Sequence, residues 1–351
     1  MLLATQEIHR RVADLGKDLG FVVTREVSDS LLRLRLDDTY KPRIDLLWSL
    51  VLDDQKRQAL AWVMERELTD VTHLPVVGVE VEGTTPTTKT MGADVANLAA
   101  LGVPLGLLVV SEEGEKNIYR RAARAIRSVR RSFGDLRLLP VEAGWLDLLL
   151  QREWPAGLSS VAVPKRARPA GGETLAWSAA TRDRLRSLGE EAGFVVAEPY
   201  TPPVLDAAFD LICRQRAKPP VHTCDPLAGT VKTMRKAGDL FTGCKIDLTW
   251  LMPLPKALSA FLEAVFGHDA CLRDDGMVFP DLWTHVPVVA FELESSGGKH
   301  AGGGLLNLSA YAILGVAVAP NSQVAADIAA ALRTYQPTLG LHNVFVRTVT
   351  E

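Results

Sequence analysis

Pro75-Val76-Val77-Gly78-Val79-Glu80-Val81-Glu82 decides the fold of this 351-residue chain, because it returns as Pro287-Val288-Val289-Ala290-Phe291-Glu292-Leu293-Glu294. Each copy is an apolar run opened by proline that ends on two glutamates two residues apart. Alternate side chains of a strand share a face. Glu80 and Glu82 therefore point the same way, as do Glu292 and Glu294. Two carboxylates on one face of an apolar strand are costly unless something neutralises them. A lone Glu-x-Glu is ordinarily just a solvent-facing edge; a repeated one asks for a cause.

Two further blocks recur in the same order ahead of this one. Leu15-Gly16-Lys17-Asp18-Leu19-Gly20-Phe21-Val22-Val23 returns as Leu188-Gly189-Glu190-Glu191-Ala192-Gly193-Phe194-Val195-Val196. Ile44-Asp45-Leu46-Leu47-Trp48 returns as Ile246-Asp247-Leu248-Thr249-Trp250. A fainter echo follows, Asn97-Leu98 with Asn307-Leu308. Three blocks in register point to duplication. A stretch rich in proline, glycine and basic residues separates the copies, which predicts domains over 1–153 and 176–351 joined by a linker over 154–175.

Periodicity sets the layout of each copy. A helix carries Ile8, Val12, Leu15 and Leu19 on one face and is stopped by Gly20. Phe21 to Val23 opens a strand. Arg33 to Leu36 and Ile44 to Trp48 read as a hairpin, Asp53 to Leu68 as an inserted helix and Pro75 to Val81 as a strand. Thr88 to Leu101 reads as a helix, Leu105 to Val110 as a buried strand and Lys116 to Phe133 as another helix. The second copy repeats this with a longer, less regular insert over Asp206 to Gly243. The expectation is an α/β protein of two tandem domains, each a mixed sheet flanked by helices.

Asp45 lies one strand before Glu80 and Glu82, and Asp247 one strand before Glu292 and Glu294. Three carboxylates on neighbouring strands are hard oxygen ligands suited to Mg²⁺ or Mn²⁺. The pattern resembles the PD-(D/E)XK nuclease superfamily, the restriction-endonuclease-like fold, over residues 21–110 and 194–319. In that family an Asp on one strand and an acid on the next bind Mg²⁺, and a Lys two residues later orients or activates water. Asp45 with Glu80, and Asp247 with Glu292, match the acidic positions. Glu82 and Glu294 stand where the family has its lysine, and the Asp-to-Glu spacing is long in both copies. Lys89 and Lys299, near the start of the next helix, are candidates to replace the missing ammonium, although an exposed or phosphate-contacting lysine is the more ordinary reading of each.

The resemblance implies metal-assisted hydrolysis of phosphodiester bonds, with double-stranded DNA the expected partner. Two sites in one chain imply a monomer acting as a pseudo-dimer, or a homodimer, in a restriction or phage-defence setting. The alternative it leaves open is a nuclease-fold protein that binds nucleic acid or acts as a scaffold without cutting. In the hydrolytic reading Glu82 and Glu294 would complete a second metal position or take a proton from water.

Secondary signals bear on partners. Arg120, Arg124, Arg127 and Arg131 fall at helical spacing, a stripe able to follow phosphates or simply to face solvent. Ser295 to Gly304 is glycine-rich but lacks the Gly-Lys-Ser/Thr ending of a phosphate-binding loop, and reads either as a close-approach surface or as a turn before a helix. Asn97 and Asn307 read as helix–sheet packing residues. Cys213, Cys224, His268 and Cys271 contain no Cys-x-x-Cys pair, so buried thiols are expected over zinc. A net charge of −3 and 47% hydrophobic residues describe an ordinary globular chain. With no signal-peptide pattern, no long apolar run and few cysteines, a cytoplasmic protein without membrane spans is the expectation.

Overall fold

The computed structural model describes residues 5–27, 43–82, 88–101, 103–110, 138–161, 176–202, 245–266, 284–296, 301–339, 341 and 343–348. The first half runs α1 (Thr5–Asp18), β1 (Val22–Val27), β2 (Ile44–Val51), α2 (Asp54–Met64), β3 (His73–Glu82), α3 (Thr88–Leu101), β4 (Leu105–Val110), β5 (Leu138–Glu142) and α4 (Trp145–Leu150). The second runs α5 (Ala176–Glu191), β6 (Val195–Ala197), β7 (Leu248–Pro253), α6 (Lys256–Phe266), β8 (His285–Leu293), α7 (Ala301–Tyr311), β9 (Leu314–Ala319), α8 (Ser322–Leu339) and β10 (Val344–Thr348). The α/β class is as expected, with a five-stranded mixed sheet in each half. Strand order is β1-β2-β3-β4-β5 in one and β6-β7-β8-β9-β10 in the other. In each, the first three strands are antiparallel and the last two join in parallel.

Local chemistry explains the matching starts. Helix α1 buries Ile8, Val12 and Leu15 along one stripe. Gly20 ends it with φ 90, and Gly193 ends α5 with φ 76, a region that favours glycine. At each end the next residue's N–H reaches five residues back, Phe21 to the Gly16 carbonyl at 3.0 Å and Phe194 to that of Gly189 at 2.9 Å. A register shift then interrupts β2 against β3 after Trp48 and β7 against β8 after Trp250.

Helix α3 and strand β4 span the residues that periodicity assigns them. The inserted helix is shorter than expected. Asp53 accepts the Lys56 N–H at 2.9 Å and caps α2, which ends when Glu65 turns left-handed at φ 50. Among the described strands β2 pairs antiparallel with β1 on one side, with Val23 opposite Trp48, and with β3 on the other. The expected Arg33–Leu36 strand, the Lys116–Phe133 helix and the Asp206–Gly243 insert lie outside the described residues. Strand β5 was not expected, since Pro140 breaks its pattern; as an edge strand it tolerates the missing N–H.

Register assigns the two faces of the first sheet. Trp48 lies beside Val77, and Leu46 beside Val79, which puts Asp45 on the Glu80 side. Helix α1 covers the Trp48 face so closely that a Cβ on Gly16 would sit 2.6 Å from the indole nitrogen. Helix α3 covers the other face, where a Cβ on Gly78 would meet Leu98 at 2.7 Å. The sheet is therefore the middle of three layers. The second half repeats the pairing, with Gly189 against Trp250 and Leu308 against Gly315.

The tryptophan faces of both sheets drain into one apolar core that includes Trp48, Leu60, Trp250 and Phe261. Contact between halves is reciprocal. Phe261 of α6 meets the Trp48 ring edge-on at 6.2 Å, and Lys56 of α2 lies 5.9 Å over the Phe194 ring. Arg347 of β10 donates to the Val63 carbonyl of α2 at 3.0 Å. Such exchange of equivalent helices is the geometry of a two-fold dimer, here within one chain. Part of the expected linker is packed. The Ser159 N–H donates to the Leu254 carbonyl at 2.8 Å, and the Lys256 N–H to that of Gly157 at 2.9 Å. No helix among the described residues is long and apolar enough to cross a membrane.

Candidate metal centre

Antiparallel pairing of β2 with β3 brings Asp45 to the glutamates. Its Oδ2 accepts the Val81 N–H at 2.8 Å, and its own N–H points to Glu80 Oε2 at 3.4 Å. Asp247 does the same in the second half, its Oδ2 accepting the Leu293 N–H at 2.9 Å. Each Asp is thus fixed by the backbone between its two glutamates. Of the two predicted triads, Asp45 is brought against Glu80 and Asp247 against Glu292, with Glu82 and Glu294 two residues along the same strands.

Electrostatics of the first cluster are severe. Glu80 is 5% exposed, and its Oε1 is buried without a hydrogen-bond partner. Burial, then the charges of Asp45 and Asp94, push its carboxyl up to about 9. Burial and a hydrogen bond with Asp94 push Glu82 up to about 8. Both glutamates therefore hold protons at neutral pH when no cation is near. The basic side chain beside Asp45 is His9 of α1, with Nε2 at 3.6 Å from Oδ2. Among the described residues no three His, Cys, Asp or Glu side chains converge closely enough to hold a metal ion as they stand. The donors have the right chemistry, and an orphaned buried oxygen among them; their convergence is what the ion itself would have to impose.

Asp94 of α3 is a fourth carboxylate that sequence reasoning missed. It stands three residues before Asn97, and three before Asn307 the second half has Gly304. A Cβ on Gly304 would lie 2.8 Å from Glu294 Oε1, so Glu294 occupies space on this side of the sheet that a longer side chain there would need. The other difference lies on the lead-in helices. Twelve residues before Phe21 is His9; twelve before Phe194 is Arg182. Arg182 Nη2 donates to Asp247 Oδ1 at 2.6 Å. Glu292, half-buried, is pushed up to about 8 by burial and by Asp247, with Arg182 pulling the other way.

The remaining expected residues divide as follows. Lys89 stands in the first turn of α3, its side chain outside the described residues. Lys299, the stripe Arg120, Arg124, Arg127 and Arg131, and Cys213, Cys224, His268 and Cys271 lie outside them altogether. Gly302, Gly303 and Gly304, read as part of a loop or turn, are helical and belong to α7. Asn97 donates to the Arg43 carbonyl at 3.5 Å, tying α3 to the start of β2, in keeping with a packing role. Arg182 and His9 carried no signal of their own, since only alignment of the two copies sets them side by side. No protein-family model, curated protein or solved structure matches this chain.

Proposed function

We propose that the first-half cluster is the centre of a Mg²⁺- or Mn²⁺-dependent phosphodiesterase acting on nucleic acid, double-stranded DNA first among candidates. One observation carries the reading: buried Glu80, with an unpartnered oxygen, sits against Asp45 and within reach of the Asp94 charge. That arrangement is unfavourable for the fold alone, and a divalent cation relieves it by displacing the protons. Asp45, Glu80 and Asp94 are the residues to hold the ion, which when bound supplies a polarised phosphate and an acidic water. Asp45 is oriented for this by the Val81 N–H. Glu82 would be the carboxylate to accept a proton from the attacking water once the bound ion had displaced the proton it shares with Asp94. An Asp and a Glu on adjacent antiparallel strands, followed by a helix and a parallel strand, is the layout that the PD-(D/E)XK resemblance implies.

The test is incubation of supercoiled and linear duplex DNA, single-stranded DNA and RNA with full-length protein and Mg²⁺ or Mn²⁺, with Glu80→Gln as control. Cleavage by wild type alone supports the reading; folded protein that cuts none of these substrates defeats it. Glu82 in place of the family's lysine favours a second reading, a nucleic-acid-binding protein that has lost cleavage. That case would show nucleic-acid binding without products in any metal.

A further inference from the structure

We infer that the two halves have divided the site, with the first holding the divalent cation and Arg182 taking the cation's place in the second. This rests on the metal-centre reading above and names which of the two duplicated clusters is the centre. Both aspartates are held alike, by the N–H of Val81 and of Leu293. What surrounds them is not alike. In the second half the Leu293 N–H occupies Asp247 Oδ2 and the guanidinium occupies Oδ1 at 2.6 Å. Arginine stays charged at any working pH, so this positive charge is permanent and covalently tethered. A second cation brought there would face it directly.

In the first half the equivalent residue is His9, whose imidazole stands farther off, with Nε2 at 3.6 Å from Asp45 Oδ2. Donor number differs in the same direction. Asp94 gives the first half a fourth carboxylate, where Gly304 gives the second none. Glu80, 5% exposed with an oxygen lacking any partner, marks the first cluster as the one still missing a ligand. Two substitutions therefore convert a four-acid site open to a dication into a three-acid site closed by a monocation. The consequence is one metal ion per chain, and one strand of a duplex cut per encounter rather than two.

Mn²⁺ binding to the full-length protein, followed by electron paramagnetic resonance and calorimetry, tests this without reference to activity. Wild type is expected to bind one equivalent, and Asp94→Asn to weaken that binding at least tenfold. The double variant Arg182→His/Gly304→Asp is expected to gain a second equivalent, with Arg182→His alone as a check in case Gly304→Asp perturbs α7. Two equivalents in wild type overturn the division of labour and leave the metal centre standing. No binding at all overturns both. Folded Arg182 variants that stay at one equivalent overturn the role given to the guanidinium.

Discussion

Glu80→Gln should make the metal-free protein more stable, and the size of the gain should depend on pH. A carboxyl moved from 4.5 in the unfolded chain to about 9 in the folded one binds a proton on folding anywhere between those values. The native state then holds more protons than the unfolded one, so stability falls as pH rises through that window. Below 4.5 the term is absent; by pH 7 it has grown over two and a half pH units, each worth about 1.4 kcal/mol, to about 3.5 kcal/mol at most. Glutamine keeps the shape and carries an amide that can donate to Asp45 as the protonated acid does, but it has no charge to bury. Urea denaturation in chelator should therefore show variant and wild type nearly equal at pH 5. At pH 7 the variant should be ahead by up to about 3.5 kcal/mol, and by more at pH 8.5.

Metal works in the opposite direction. A ligand that binds only the folded state stabilises it by about 2.7 kcal/mol at one hundred times its dissociation constant. Wild type should gain this with Mn²⁺ and Glu80→Gln should not, closing the gap. A variant that is less stable than wild type at every pH, or that responds to Mn²⁺ equally, would refute the claim that Glu80 is held at a cost for a cation.

The other expected outcomes concern different parts of the molecule. Gly16→Ala and Gly189→Ala should each cost about 1–3 kcal/mol in denaturant midpoint analysis, because a Cβ at either site collides with a buried indole; a loss under 0.5 kcal/mol would mean the helices slide aside freely. Phe261→Ala should cost about 3–5 kcal/mol, since its ring fills the core between Trp48 and Trp154 from the opposite half. Its effect should appear in the unfolding of both halves as one transition, and two separated transitions would contradict the shared core. If the first half alone is catalytic, supercoiled plasmid with Mn²⁺ should accumulate as open circles, and Arg182→His/Gly304→Asp should add linear product; prompt linearisation by wild type would argue for two working sites.

The repeated blocks were legible because each combines scaffold and site. Gly16, Gly20, Phe21 and Trp48 are forced by a helix stop, a close helix approach and a ring stack, and the same forces act on Gly189, Gly193, Phe194 and Trp250. Phe21 stacks on Trp48 at 6.0 Å between ring centres, and Phe194 on Trp250 at 5.4 Å. Asp45 and Asp247 were legible for the same reason. Asp94 was not, because a search for what recurs discards what differs, and its counterpart is a glycine. His9 and Arg182 were lost in the same way. Whether α2 and α6 pack on their own half or the other was beyond periodicity, which reports which face is apolar and not what covers it.

In a dimer of identical chains every substitution appears at both sites, so a residue that closes one site closes the other. Fusion into one chain removes that constraint while leaving the two-fold packing in place. The positions that differ, His9 against Arg182 and Asp94 against Gly304, lie around the carboxylates. The residues that build the contact between halves, Phe261, Lys56 and Arg347, lie elsewhere. A second half that has given up its cation therefore still supplies Phe261 to the Trp48 core beneath Asp45 and anchors α2 through Arg347. On the proposed division, loss of metal chemistry in one half and retention of its whole scaffold are compatible, because what the first half draws from the second is packing.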